Sequence, residues 1–317
     1  MKIKLNDLKK NTQEYVQIGN LNQFKEKNMD LNSQYLNNYM NDLTLFDWIR
    51  HTNSFHAFNQ KCPKDEIKSQ HPATYEEELP FYYIEYFSKQ NEIVLDPFTG
   101  TGTTNISAHL LNRKSIGIEI NPYFYNLAKL RFQENNLDQS KHILINTDII
   151  SFLKSGNLKS FLQSKKWEIA LTITSPPFFN ILRFFSNKKN NLKRKMTNYG
   201  DDNANLEQIF DYSLFLKKLM EIFIEIYNIM RNRSYLVINV QNFYKKNTFK
   251  NGKIGQEIVF FAWDLAKKLS ETNWIPCGEQ IWGNPTKKIY PFGIPYIYLA
   301  NITHSYNLIF YKDIEKK

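Results

Sequence analysis

What most limits the fold of this chain is the order in which its apolar segments arrive. From residue 92 onward, short apolar runs alternate with stretches whose apolar residues recur at helical spacing. Residues 92–96 read as a buried strand ending in an acid, 103–112 as a helix and 115–119 as a second strand. Residues 122–134 form a helix with proline in its first turn, where a missing N–H leaves no bond unmade. Strands follow at 142–146 and 168–174, a long helix at 206–230, a fifth strand at 235–240 and a further helix at 256–269. Residues 306–311 are β-like, with 275–282 as their expected neighbour. Ahead of this series, 75–88 carries Leu79, Tyr82, Tyr83, Tyr86 and Phe87 at helical spacings. Such alternation specifies an α/β fold, a doubly wound and mostly parallel sheet with helices on both faces.

Two segments, 181–205 and 241–253, interrupt the alternation. Each follows a strand, which puts it at the carboxyl edge of the sheet, where folds of this kind bind ligands. Residues 1–70 are rich in Asn, Lys and Gln without sustained periodicity and read as an N-terminal attachment to a single large domain at 71–317. A chain of 317 residues with 42% hydrophobic and 15% aromatic residues can bury a sizeable core, which excludes disorder as its main state. Its two cysteines, Cys62 and Cys277, exclude a disulfide framework and a four-thiolate zinc site. The six histidines lack the paired spacing of a metal centre. No apolar run reaches the length of about 18 residues that a membrane helix needs, and the first residues lack a secretory core, so the expected setting is cytoplasmic. The balance of 41 basic against 31 acidic residues, a net charge of +10, favours a polyanionic partner.

Glycine is scarce, 11 residues in 317, half the usual share of about 7%. Two of them fall in Asp96-Pro97-Phe98-Thr99-Gly100-Thr101-Gly102-Thr103-Thr104, between a strand and a helix. Small residues there let the backbone approach a ligand, and the helix start offers unpaired N–H groups. Asp96 is placed to receive a cationic amine. Glu119 ends the next strand, where a carboxylate can accept both hydroxyls of a ribose, and Asp148, just past the third, is placed to meet an adenine amino group. The dinucleotide pattern G-x-G-x-x-G is not met. Three acids at three successive strand ends, more than the glycines alone, point to a nucleoside.

At the end of the fourth strand stands Thr174-Ser175-Pro176-Pro177-Phe178. Consecutive prolines hold an extended backbone that continues neither a helix nor a central strand. They present the Ser175 hydroxyl and the Pro176 carbonyl as a fixed pair of acceptors, with the Phe178 ring beside them. Taken by itself, the motif is equally open to a generic Pro-Pro turn.

Together, the 96–104 and 174–178 motifs resemble those of the S-adenosylmethionine-dependent DNA amino-methyltransferases of restriction–modification systems. His71-Pro72-Ala73, Leu79-Pro80, Tyr86-Phe87-Ser88, the stretch 117–122 with Leu127-Ala128, and the segments 236–240 and 305–312 are similar to the same family. The resemblance spans 71–312. It implies a Rossmann-like, seven-stranded-type methyltransferase sheet, S-adenosyl-L-methionine as cofactor, double-stranded DNA as substrate and no metal. It admits a cognate restriction endonuclease as partner and a nucleoid-associated setting. Residue by residue, it implies Asp96, Gly100 and Gly102 at the methionine part of the cofactor, with Pro97, Phe98, Thr99, Thr103, Thr104 and Thr174 completing its surroundings. Glu119 would hold the ribose and Asp148 the adenine. Ser175, Pro176, Pro177 and Phe178 would hold the target base. Serine rather than aspartate at position 175 is associated in that family with cytosine, so cytosine-N4 is the expected product. Adenine-N6 stays open as the alternative, beside a non-catalytic cofactor-binding module on nucleic acid.

Arg183, Lys188, Lys189, Lys193, Arg194 and Lys195 form a group with no acid until Asp201, and Lys245 and Lys246, with Lys250 and Lys253, form a second. Both are expected to surround the catalytic pocket as phosphate contacts, with the recognition surface assembled from 1–70 and 181–205. Pro276-Cys277 is discounted as a nucleophile, because Ser175 stands where the carbon-5 cytosine enzymes carry their cysteine. His56 and His71 are read as core or surface residues ahead of contacts to cofactor or phosphate, and Asn284 and Lys287, near Trp282, as DNA contacts or structural residues with equal weight. Affinity for duplex DNA is therefore expected to fall by about 0.9 log units per log unit of salt for each phosphate neutralised. Filter binding across a salt series measures that slope, and a flat response contradicts the polyanion reading.

Overall fold

Strands that lie inside a parallel sheet are covered on both faces and read as nearly continuous apolar runs. Three segments have that character and are buried almost throughout: β2 (Ile93–Asp96), β3 (Lys114–Glu119) and β5 (Ile169–Thr174). The computed structural model describes residues 38–57, 65–179, 206–246, 256–290 and 298–315. The remaining strands of the main sheet are β1 (Phe55–Ala57), β4 (His142–Asn146), β6 (Met230–Val240), β9 (Ile275–Gly283) and β10 (His304–Lys312). Their spatial order is β1-β9-β10-β6-β5-β2-β3-β4. Only β10 runs against its neighbours; every other pairing in the sheet is parallel. The chain passes outward from β2 through β3 to β4, then returns to lay β5 directly against β2, with Leu95 opposite Thr172. That reversal opens a crevice above the carboxyl ends of β2 and β5, the position at which such sheets take ligands.

Helices cover both faces. On one lie α2 (Glu78–Phe87) and α3 (Thr103–Leu110), packed through an aromatic cluster that includes Tyr83, Phe87, Val94 and Ile173. On the other lie α5 (Ile149–Lys154), α6 (Asn157–Lys165), α7 (Tyr212–Ile229) and α8 (Phe261–Ser270), around Leu95, Ile118, Phe215, Phe223 and Phe261. Helix α4 (Pro122–Glu134) joins α3 through Phe132 and Ile106. Caps start several of these elements where the sequence supplies an acceptor: Asn121 receives the Tyr123 N–H at 2.8 Å, Asp148 the Ser151 N–H at 2.8 Å and Asp211 the Leu214 N–H at 2.6 Å.

The structure departs from expectation in three places. Helix α2 is buried nearly all round instead of along one stripe, because residues 38–57 cover its outer side. Within that segment, α1 (Leu45–His51) sets Trp48 edge-on to Tyr86 at 5.2 Å and stacks the His51 ring on Tyr82 at 4.3 Å. Strand β1 then pairs with β9, Phe55 opposite Ile281, so residues 38–57 pack into the same unit as the sheet. Second, the long helix expected over 206–230 starts at Tyr212, where Asp211 supplies its cap. Third, the helix expected over 256–269 starts at Phe261. Ahead of it, β8 (Gln256–Val259) pairs antiparallel with β7 (Phe243–Lys246), since Glu257-Ile258-Val259 continues a strand pattern as readily as a helical one. No helix among the described residues is long and apolar enough to cross a membrane.

One buried ionic cluster ties the N-terminal side to the sheet. The guanidinium of Arg131, on α4, is fully buried and donates to Asp65 at 2.7 Å, to Glu77 at 2.7 Å and to the Thr101 carbonyl at 2.8 Å. Glu77 also receives Lys68 at 2.7 Å. Burial of these charges is tolerable only while each has its partners, and removing one partner of a buried pair typically costs about 3–5 kcal/mol. Arg131→Met is expected to lower the unfolding free energy by that amount in urea titration. A loss below about 1 kcal/mol, the value of an exposed pair, would show that the cluster is dispensable.

Candidate active site

Above β2 the chain turns through two glycines in left-handed conformation, Gly100 at φ +54° and Gly102 at φ +79°. Neither tolerates a side chain. A Cβ on Gly102 would stand 2.7 Å from the Phe132 ring, and one on Gly100 would stand 3.1 Å from His71 Nε2. The turn is closed by Asp96, which is 1% exposed. Its Oδ1 accepts the Phe98 N–H at 3.0 Å and the Thr174 hydroxyl at 2.6 Å; its Oδ2 accepts the Thr104 hydroxyl at 2.5 Å and the Tyr75 hydroxyl at 3.0 Å. Burial raises the pKa of this carboxyl, and the hydrogen bonds oppose the rise. Because both oxygens are occupied by the protein, Asp96 organises the loop from behind. It is not among the residues that line the cavity.

The cavity itself holds about 460 Å³ and is walled by residues from the ends of seven strands. The glycine turn contributes Pro97, Phe98, Thr99, Gly100 and Thr103, and the next two strand ends contribute Glu119 and Asp148. Ser175, Pro176, Pro177 and Phe178 form the neighbouring wall. The two motifs read from the sequence therefore face one space, and the Thr174–Asp96 hydrogen bond joins their roots. Gly102, Thr104 and Thr174 lie behind the wall with Asp96.

Glu119 is the most strongly perturbed acid lining the cavity. Burial pushes its pKa up to about 7, against the opposing hydrogen bonds of Asn121 N–H at 2.8 Å and Gly100 N–H at 2.9 Å. The Ile120 N–H adds a third backbone hydrogen bond, and the carboxylate faces the cavity as an acceptor for a ligand hydroxyl. Asp148 accepts the first N–H groups of α5 and still faces the cavity. Phe178 is half-buried and meets Phe261 edge-on at 6.1 Å. The next residue, Phe179, adopts φ +55°, a conformation uncommon for a bulky side chain.

Further residues complete the wall. Tyr75 and His71 line the cavity, and the His71 ring packs on Phe124 at 4.2 Å. The far wall is built by Asn239, Gln241, Trp282, Asn284, Lys287, Thr303, His304 and Ser305. Asn284 and Lys287 are among the candidate DNA contacts, whereas Asn239, Gln241, Thr303, His304 and Ser305 are brought together only by the fold. His56 packs elsewhere, with Nε2 2.9 Å from the Tyr82 hydroxyl, and burial lowers its pKa to about 4. Arg183, Lys188, Lys189, Lys193, Arg194 and Lys195 lie outside the described residues, as do Lys250 and Lys253. Lys245 and Lys246 lie on β7, their backbones opposite Glu257 and Gln256. Among the described residues, no group of three or more His, Cys, Asp and Glu side chains is arranged to hold a metal ion.

Comparison with known proteins matches residues 3–130 to the family described as DNA methylase, the N6/N4 amino-methyltransferases. That match places residues 3–130 alongside the DNA methylases in sequence. It is 43% identical over 75 residues to the orphan methyltransferase M.BamHII of Bacillus amyloliquefaciens, covering 24% of this chain and 28% of that protein. Similarity to the type II methyltransferase M.MthZI of Methanothermobacter thermautotrophicus is 36% over 99 residues, 31% of this chain and 28% of the relative. With M.PvuII of Proteus hauseri it is 30% over 108 residues, 34% and 31%. The matched region thus spans under a third of these relatives' lengths. S-adenosylmethionine is the cofactor of the family. If Glu119 receives its ribose, hydroxyl donors bind the ionised carboxylate, and the competent fraction falls as pH drops through about 7. Cofactor affinity measured by calorimetry should then weaken about tenfold at pH 6 relative to well above pH 7, following the competent fraction. Glu119→Gln should bind more weakly and with little pH dependence between 6 and 8; an unchanged pH profile removes Glu119 from the site.

Proposed function

We propose that this protein transfers a methyl group from S-adenosylmethionine to the exocyclic amine of a base everted from duplex DNA, and that the base is cytosine, methylated at N4. The observation that carries the reading is the junction of the two loops: the Thr174 hydroxyl donates to Asp96 at 2.6 Å, and beyond that bond Gly100 and Ser175 line one cavity. The residues present fit the cofactor. Left-handed glycines let the backbone come close, Glu119 faces the cavity as an acceptor for a hydroxyl, and Asp148 stands beyond it for an amino group. Bound there, the sulfonium supplies an electrophilic methyl group.

The chain's own work is to prepare the nucleophile. An exocyclic amine is a poor one because its lone pair is delocalised into the ring. The Ser175 hydroxyl and the Pro176 carbonyl, held rigid by the two prolines, accept its N–H protons and draw the nitrogen toward a tetrahedral shape. Its lone pair is thereby freed for attack. Holding the reacting atoms in line can contribute roughly 7–11 kcal/mol. A strong base is unnecessary, because the nitrogen becomes acidic only after it is methylated. Eversion of a base costs a few kcal/mol, and stacking on the Phe178 ring, about 1–3 kcal/mol per base, offsets much of it. Serine at position 175 supports cytosine over adenine as the target.

Ser175→Ala removes one acceptor from an amine that gains positive charge as it reacts. The turnover number should fall about 10–100-fold, the range for a hydrogen bond to a charged group, with cofactor affinity unchanged. Label transfer from methyl-labelled cofactor measures the rate, and nucleoside mass spectrometry of the product identifies the base. Normal turnover in the variant removes Ser175 from the mechanism, and N6-methyladenine in the product replaces cytosine by adenine.

A further inference from the structure

The walls of the cavity differ in charge. Glu119 and Asp148 stand at the ends of β3 and β4, while Lys287 and His304 stand on the side of β9 and β10. Lys287 lies at the exposed rim, on the excursion between those two strands. A tight turn directs it there: its N–H donates to the Asn284 carbonyl at 3.2 Å, and Asn284 Oδ1 accepts the Thr286 N–H at 3.1 Å. The base of the excursion is closed by the Asn284 N–H on the Thr303 carbonyl at 2.8 Å. Farther out, Asn301 bonds both the N–H and the carbonyl of Tyr290 at 2.9 Å, so the rim is a braced structure.

Among the described residues, Lys287 has no carboxylate partner. Its pKa is lowered by burial, and its charge joins burial in lowering that of His304. Lys287 therefore carries, on the cavity's rim, a charge that no described carboxylate neutralises. The acidic groups are on the opposite wall, where hydroxyl and amino donors suit them. Ser175 and Lys287 line the same cavity.

We propose that Lys287 receives a phosphate flanking the everted nucleotide, so that the base seats beside Ser175 while its backbone rests on the β9–β10 rim. This rests on the reading of the site as one that takes a nucleobase from DNA. The test compares the full chain with Lys287→Gln and Lys287→Arg on a duplex carrying the site mapped by sequencing methylated host DNA. Lys287→Gln should raise the KM for DNA about tenfold and make the dependence of log affinity on log salt shallower by about 0.9, the contribution of one phosphate. Cofactor affinity should stay unchanged, and Lys287→Arg should restore most of the loss. Neutral methylphosphonates at the linkages flanking the target should weaken the wild type to a similar extent and leave Lys287→Gln no weaker still. A wild type that labels no DNA sinks the methyl-transfer reading itself. An active wild type with unchanged KM and salt slope in Lys287→Gln sinks the Lys287 assignment alone, as do additive losses with the methylphosphonates. Lost cofactor affinity in Lys287→Gln overturns it by moving the lysine's partner to the cofactor carboxylate.

Discussion

Asp96 ends β2 with its carboxylate out of contact with water and four donors gathered round it. A buried carboxylate is costly unless its lone pairs are satisfied, and charge-assisted hydrogen bonds of this kind are among the strongest a protein makes. Each donor comes from a different part of the site: Phe98 from the glycine turn, Thr104 from the start of α3, Tyr75 from the segment before α2 and Thr174 from the end of β5. Displacing any of them leaves an unmet acceptor in the interior. The cavity therefore keeps its shape because one anion fixes four chain segments together, and sheet topology brings two of those segments side by side in the first place.

Around that anchor the neighbouring polar groups are committed in a similar way. Glu119 is tied to Gly100 and Asn121, and Thr99 donates to Asn105 at 2.6 Å, which in turn donates to Ser115 at 2.9 Å. The glycine turn is thus braced from β3 as well as from β5. Protein groups that already satisfy one another need little reorganisation when a ligand arrives, and pre-organisation of this sort is where binding free energy is conserved. The raised pKa of Glu119 follows from the same arrangement: burial that stiffens the turn also disfavours the charge.

Much of this was legible in the residues because the governing patterns are local. The apolar runs marked β2 to β6, and the strand-end positions of Asp96, Glu119 and Asp148 followed from where those runs stop. What escaped was what depends on partners distant in sequence. Helix α2 reads as one stripe, and only the packing of Trp48 and His51 shows that its outer side is covered too. Asp96 reads as a ligand-facing acid, since nothing near it in sequence reveals that Tyr75 and Thr174 already occupy its oxygens. At residues 256–259 the same short pattern suits strand and helix, and pairing with β7 decides between them. The wall formed by Asn239, Trp282 and His304 has no sequence signature, because three strands assemble it.

The two halves of the cavity are built by different physics. Hydrogen bonds directed at Asp96 and Glu119 hold the glycine half. Aromatic packing holds the Ser175 half: the Phe179 ring is buried against Phe215 at 5.3 Å and Tyr212 at 5.6 Å, while Phe178 turns toward the cavity and Phe261. The left-handed backbone at Phe179 reverses the direction of these successive rings, at a strain on the order of 1–3 kcal/mol. Burial of the Phe179 ring, about 1.5–3 kcal/mol for a side chain of that kind, offsets it. Directional bonds suit a ligand whose polar atoms must be met one by one, and aromatic faces suit a flat ring held mainly by stacking. The division of labour between the walls therefore suits the two chemically different molecules, a nucleoside sulfonium and a nucleobase, that the proposed methyl transfer would bring together.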